Sequence, residues 1–153
     1  MDAGRTGGSV ILGVCVLLAT AAGVRAQADY TPSSSGTREL TLASGTVIKM
    51  LLDESVLGTD EVEVAEITFP AGGSSSGHRH GAMEMFYVVE GVLGHVVNGV
   101  EHRLTPGMAG VVKPADQVEH RVIEGPLKVV VIWVPGAEGD RIAPRERWTP
   151  IGP

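Results

Sequence analysis

Short apolar runs broken by turn residues dominate this chain. "ELTL", "TVIKMLL", "EVEVAEITF", "MEMFYVV", "VLGHVV", "VEHRL", "GVVK", "HRVI" and "LKVVVIWV" follow one another from Glu39 to Val134, nearly all separated by Gly, Pro, Asn or Asp. No segment sustains a helical apolar period, so the spacing predicts an all-β fold, either a sandwich or a barrel. The 21 glycines and 9 prolines agree with many tight turns. Aromatic residues are only 4%, so the core must be built from Val, Ile, Leu and Met.

Turn chemistry predicts a local meander. Glu90-Gly91 is read as a two-residue hairpin loop and Asn98-Gly99 as a type I′ turn. Val89 would then face Val92, Phe86 would face His95, Val97 would face Val100, and His95 would face His102. Cross-strand partners share a face. Glu84, Phe86, Val88, Leu93, His95, Val97, Val100, His102 and Leu104 are therefore expected to point inward together. In "EVEVAEITF" the apolar parity changes near Ala65 and Glu66, which predicts a bulge there or a strand buried on both faces.

The ends of the chain read differently. "SVILGVCVLLATAAGV", Ser9 to Val24, follows Arg5 and ends in small residues. It reads as an export signal over 1–26, with cleavage near Ala26 or Ala28. It is short for a membrane span, which needs about 20 apolar residues. The expectation is an exported protein, periplasmic or secreted, that meets a membrane only if the signal stays uncleaved. Residues 27–38 read as a flexible leader, 39–135 as the β domain, and 136–153 as a Pro/Gly-rich tail unsuited to a helix. Trp148 in that tail is a candidate for docking on the domain or in a dimer. Cys15 is the only cysteine and lies in the signal, so disulfides, thiol ligands and a cysteine nucleophile are excluded from the domain. A net charge of -6 argues against a nucleic-acid partner.

His78, His80 and Glu84 share one parity. Residues two apart on a strand lie about 7 Å apart on one face, near enough for imidazoles to converge on one ion. Two neutral imidazoles and a carboxylate suit one divalent transition metal: Fe, Mn, Ni, Zn or Cu. The ion would also offset the cost of burying Glu84 among apolar neighbours. The alternative is that the histidines sit in a mobile Gly/Ser loop and bind nothing. His95 and His102, as inward neighbours, are pocket candidates together with Phe86, although the reading of a satisfied polar pair in the core is the favoured one. Arg79, of opposite parity, is expected to be solvated or paired at a pocket rim. If neutral histidines hold the ion, its affinity should fall below about pH 6.5.

The same stretch resembles the first motif of the cupins, Gly-x5-His-x-His-x3-Glu-x6-Gly. "GGSSSGHRHGAMEMFYVVEG" carries Gly72, His78, His80, Glu84 and Gly91 at the required offsets. "GMAGVVKPADQVEHRVIE" is similar to the second motif through Gly107, Pro114 and His120, with one extra residue in each interval, Asp116 for a glycine and Glu124 for the final asparagine. The resemblance spans roughly Glu39 to Val134. It implies a single cupin β-barrel of jelly-roll type, one metal held by His78, His80, Glu84 and His120, a small-molecule ligand or substrate, and a homodimer. Cupins include dioxygenases, isomerases, lyases, decarboxylases and non-enzymatic binding proteins. The expectation taken from the 3-His/1-Glu set is a metal-dependent, dioxygenase-like enzyme of the non-haem Fe or Mn type acting on a small oxygen-bearing molecule. The alternatives are a ligand-binding or structural cupin and a metal-dependent isomerase or lyase.

Overall fold

The computed structural model describes residues 34–152, so the predicted export signal and the leader up to residue 33 lie outside the described residues. Eight strands form one sheet in the order β5-β4-β7-β3-β2-β1-β8, with β6 added on β4. They are β1 (Arg38–Thr41), β2 (Val47–Leu52), β3 (Glu63–Phe69), β4 (Met83–Val97), β5 (Val100–Leu104), β6 (Ala109–Val112), β7 (Val118–Val134) and β8 (Thr149–Pro150). Two short helices, α1 (Glu54–Leu57) and α2 (Glu138–Ile142), complete the elements used below.

The two long strands organise everything else. The first half of β4 pairs with the last half of β7, Glu84 opposite Trp133 and Val88 opposite Val129. Its second half pairs with the start of β7, His95 opposite His120. Both strands bend between these halves, and the sheet folds over a core of Leu, Ile, Val and Met with Phe86 and Trp133 at its centre. This is the all-β fold predicted from the run spacing, in the barrel form that the resemblance implies.

The bend differs from the hairpin predicted at Glu90-Gly91. The strand runs on through these residues, with register shifts between Val88 and Leu93. Gly91 has φ +78°, and a Cβ there would stand 2.5 Å from the Pro126 carbonyl oxygen, so the backbones meet too closely for a side chain. Val89 therefore does not pair with Val92, nor Phe86 with His95. Asn98-Gly99 does turn the chain, with φ of 50° and 83° and Val97 opposite Val100.

Three further expectations are corrected. Strand β3 keeps one parity throughout, burying Glu63, Ala65, Ile67 and Phe69, and the irregularity lies in its partner β2 between Met50 and Leu52. Glu63 tolerates burial because Arg38 Nη2 lies 3.2 Å away and the Gly139 amide donates to its Oε2 at 2.9 Å. His102 pairs with His95 but is exposed, as is Val100, because β5 ends the sheet and nothing in the described chain covers its outer residues. The tail contains a helix after all. In α2, Glu138 and Asp140 stand in the first turn and Arg141 in the last, the arrangement a helix dipole favours. Trp148 is buried on the domain, its indole donating to the Ala143 carbonyl at 3.1 Å and its ring facing the Arg38 guanidinium at 4.7 Å.

Candidate metal centre

The loop before β4 is glycine- and serine-rich, yet it is pinned to β7. Ser75 and His78 donate their amides to the carbonyls of His120 and Val118, both at 2.9 Å. Val118 and Val122 return bonds to the carbonyls of His78 and Gly73, again at 2.9 Å. Ser75 Oγ also accepts from the His120 amide at 2.9 Å. This irregular pairing removes the reading of a loose loop and sets His78 beside His120, with ring centroids 5.3 Å apart.

Each of three side chains has one polar atom held by the protein and the other turned to a shared point. His78 Nδ1 donates to the Ser76 carbonyl at 2.8 Å. His80 Nδ1 lies 3.1 Å from Glu138 Oε1. Trp133 Nε1 donates to Glu84 Oε1 at 2.8 Å. The remaining atoms meet: His78 Nε2 is 3.1 Å from His80 Nε2, which is 2.7 Å from Glu84 Oε2. Glu84 Oε2 is buried and has no well-aligned hydrogen-bond donor despite that close approach. One nitrogen from each of His78, His80 and His120 lies within 4.8 Å of the others. Glu84 stands outside that three-histidine group and reaches it through His80.

His120 is almost fully buried and packs in an aromatic nest. Phe86 meets it edge-on at 4.9 Å, His95 stacks on it at 5.8 Å with only 10° between planes, and Phe69 stacks at 6.1 Å. Burial, and then the neighbouring His78, His95 and His80, holds His120 well below the ordinary histidine pKa, so it stays neutral. His95 is pushed down to about 4 by burial and by His102. His80 goes the other way. Burial opposes its charge, but the carboxylates of Glu138 and Glu84 outweigh that and raise it to about 9. Without an ion, His80 is an imidazolium clamped between two carboxylates.

A cavity of about 490 Å³ opens over this cluster. His78, His80, Glu84, His120 and Phe86 line it, with Trp133, Glu138, Arg79 and Arg141. His95 instead lies behind His120 and lines a separate hollow with His102 and Met108, so the predicted pocket trio is divided between two places. Sequence reading missed Glu138, Trp133 and Arg141. Glu138 accepts from His80 Nδ1, from the Gly81 amide at 3.2 Å and from Arg141 Nη1 at 3.0 Å. Against the cost of burial, the bond to His80 and the charge of Arg141 hold its carboxyl below the usual range. The acid-rich opening of α2 was the available signal for it.

The donor set fits a divalent transition metal. Imidazole nitrogens and a carboxylate oxygen are the right atoms, and their convergence on one point, with the other polar atom of His78, His80 and Glu84 already bonded, is the arrangement an ion occupies. Glu138 and Trp133 hold the tautomer and rotamer that such ligands need.

Comparison with known proteins agrees with this fold. The cupin domain family model matches residues 65–135. KdgF from Halomonas sp. is 20% identical, with a TM-score of 0.59 over 66% of this chain and 88% of that one. An RmlC-like cupin from Shewanella frigidimarina is 25% identical, with a TM-score of 0.58 over 67% of this chain and 87% of that one. A predicted oxalate decarboxylase from Thermotoga maritima is 18% identical, with a TM-score of 0.56 over 69% of this chain and 98% of that one. No curated protein sequence matches. The matched segment runs from within β3 to the end of β7 and so contains both halves of the bent strand pair and all the clustered histidines, and on that basis residues 65–135 are a cupin domain.

Proposed function

We propose that this is an exported, metal-dependent cupin in which His78, His80, Glu84 and His120 hold one divalent transition metal, and that it is a dioxygenase-like enzyme acting on a small oxygen-bearing molecule. The observation that carries this reading is the meeting of His78 Nε2, His80 Nε2 and Glu84 Oε2, each on a side chain whose other polar atom is already bonded. A bound Fe or Mn ion supplies Lewis acidity and open positions for substrate oxygens and dioxygen.

The protein's own residues do the rest. Trp133 fixes the Glu84 carboxylate. Glu138 takes the Nδ1 proton of His80 into a hydrogen bond and leaves Nε2 to face the cavity. Phe86, Phe69, Ile48 and Ile67 exclude water from the inner wall. Isomerase or lyase chemistry needs a free acid–base group near the reacting carbon. The carboxylates lining this cavity, Glu84 and Glu138, are both engaged, which favours oxygen chemistry over proton shuttling. Purified protein is stripped by chelation, reloaded with Fe(II) or Mn(II), and assayed for oxygen uptake with diketones, catechols and flavonols. Uptake that follows the metal supports the reading; turnover that persists without oxygen overturns the dioxygenase assignment.

A further inference from the structure

Two arginines that the proposed chemistry does not use, Arg79 and Arg141, line the cavity. Ser74, Ser75 and Ser76 line it with them, as do the apolar residues Ile67 and Phe69. The lining thus combines cationic and hydroxyl groups with apolar surface.

Within the cavity the carboxylates are Glu84 and Glu138, both committed to internal partners.

Neither arginine is exhausted by its contacts. Arg141 spends Nη1 on Glu138 at 3.0 Å and keeps 54% of its side chain exposed. It lies directly on the Gly81 backbone, where a Cβ would fall 1.5 Å from Nη1, so only glycine leaves room for it. Arg79 spends Nε on Gln117 Oε1 at 3.2 Å, leaving both Nη groups. A guanidinium fork matches a carboxylate with two parallel bonds.

We infer that Arg79 and Arg141 receive the carboxylate of a small organic acid whose apolar body packs against Phe69 and Ile67. This rests on the reading of the cavity as the metal-dependent site and names the ligand class of that site. The probe pair is 3-phenylpropionate and its primary amide, titrated calorimetrically into Zn(II)-loaded protein and into chelator-stripped protein. The acid is expected to bind at least about tenfold more tightly than the amide in both forms. R79M and R141M should each reduce that ratio severalfold, and R141K should restore part of it. The ratio is insensitive to general disruption, because loss of the fold weakens both ligands.

Equal affinities in the wild type, or a ratio that survives both arginine substitutions, would overturn the inference. So would an acid that fails to bind at about 10 mM, beyond the millimolar range of weak specific ligands. A preference that vanishes on stripping but survives both substitutions assigns the carboxylate to the ion, which removes the arginines and leaves the metal reading standing. A preference that depends on the arginines in a protein found to take up no ion supports the inference and removes the metal reading.

Discussion

Glu138 Oε1 lies 3.1 Å from His80 Nδ1 across 58 residues of sequence, joining the tail helix to the ligand loop. The same carboxylate accepts from the Gly81 amide and from Arg141. One buried acid therefore sets the ring orientation of His80 and holds α2 against the barrel opening.

Glu138→Ala should cost about 10- to 100-fold in metal affinity, the usual effect of losing a carboxylate behind a ligating histidine. Glu138→Gln keeps an acceptor for His80 and should cost less. Metal titration of both variants against the wild type checks the order. Equal affinities for all three would place Glu138 outside the centre's support.

Metal uptake should release a proton. His80 is charged in the metal-free protein up to about pH 9, and the ion needs its Nε2 lone pair. Apparent affinity should then rise about tenfold per pH unit below 9 and level off above it. This shifts the limit upward from the value near 6.5 expected for an unperturbed histidine. Calorimetry at pH 7.5 in buffers of different ionisation enthalpy should report about one proton per ion.

Stability of the metal-free protein should fall on both sides of a maximum near pH 6.5. The raised pKa of His80 contributes stability that is fully present below 6.5 and is lost as pH rises through about 9. The lowered pKa of His95 acts in the opposite sense, because the unfolded chain takes up a proton that the folded one refuses until about pH 4. At pH 5 this costs about 2 kcal/mol, and His120 adds to it in the same direction. His95→Phe should flatten the acid limb in urea titrations at pH 7 and pH 5. An acid limb unchanged by that substitution would contradict the assignment.

Gly91→Ala should destabilise the fold by about 2 kcal/mol or more, since it adds strain at positive φ to a clash with the Pro126 backbone. Thermal unfolding checks this. Gly99→Ala, also at positive φ but with nothing within 4 Å, should cost less.

How far these features could be read from sequence depends on whether local or distant contacts decide them. The inward set Glu84, Phe86, Val88, Leu93 and His95 was legible, although the hairpin used to find it does not exist. A two-residue loop and a bulge at Gly91 both shift the parity of the following residues by one, so the burial pattern is the same either way. The exposure of His102 was not legible, because its neighbours alternate normally and only the position of β5 at the end of the sheet uncovers it. Glu63 breaks an apolar parity on paper, and only Arg38 and the Gly139 amide make it an interior residue. Glu138 was hidden for the same reason: His80 and Gly81, the partners that tie it to the centre, lie 58 and 57 residues away.

The central claim is that one ion draws His78, His80, Glu84 and His120 together. Elemental analysis of chelated protein after reloading, with the melting temperature measured alongside, tests it most directly. The account predicts about one transition-metal ion per chain, a clear rise in melting temperature on loading, and loss of both in His80→Ala and His120→Ala. Reloaded wild-type protein with negligible ion content, or ion content unchanged in those variants, would contradict it.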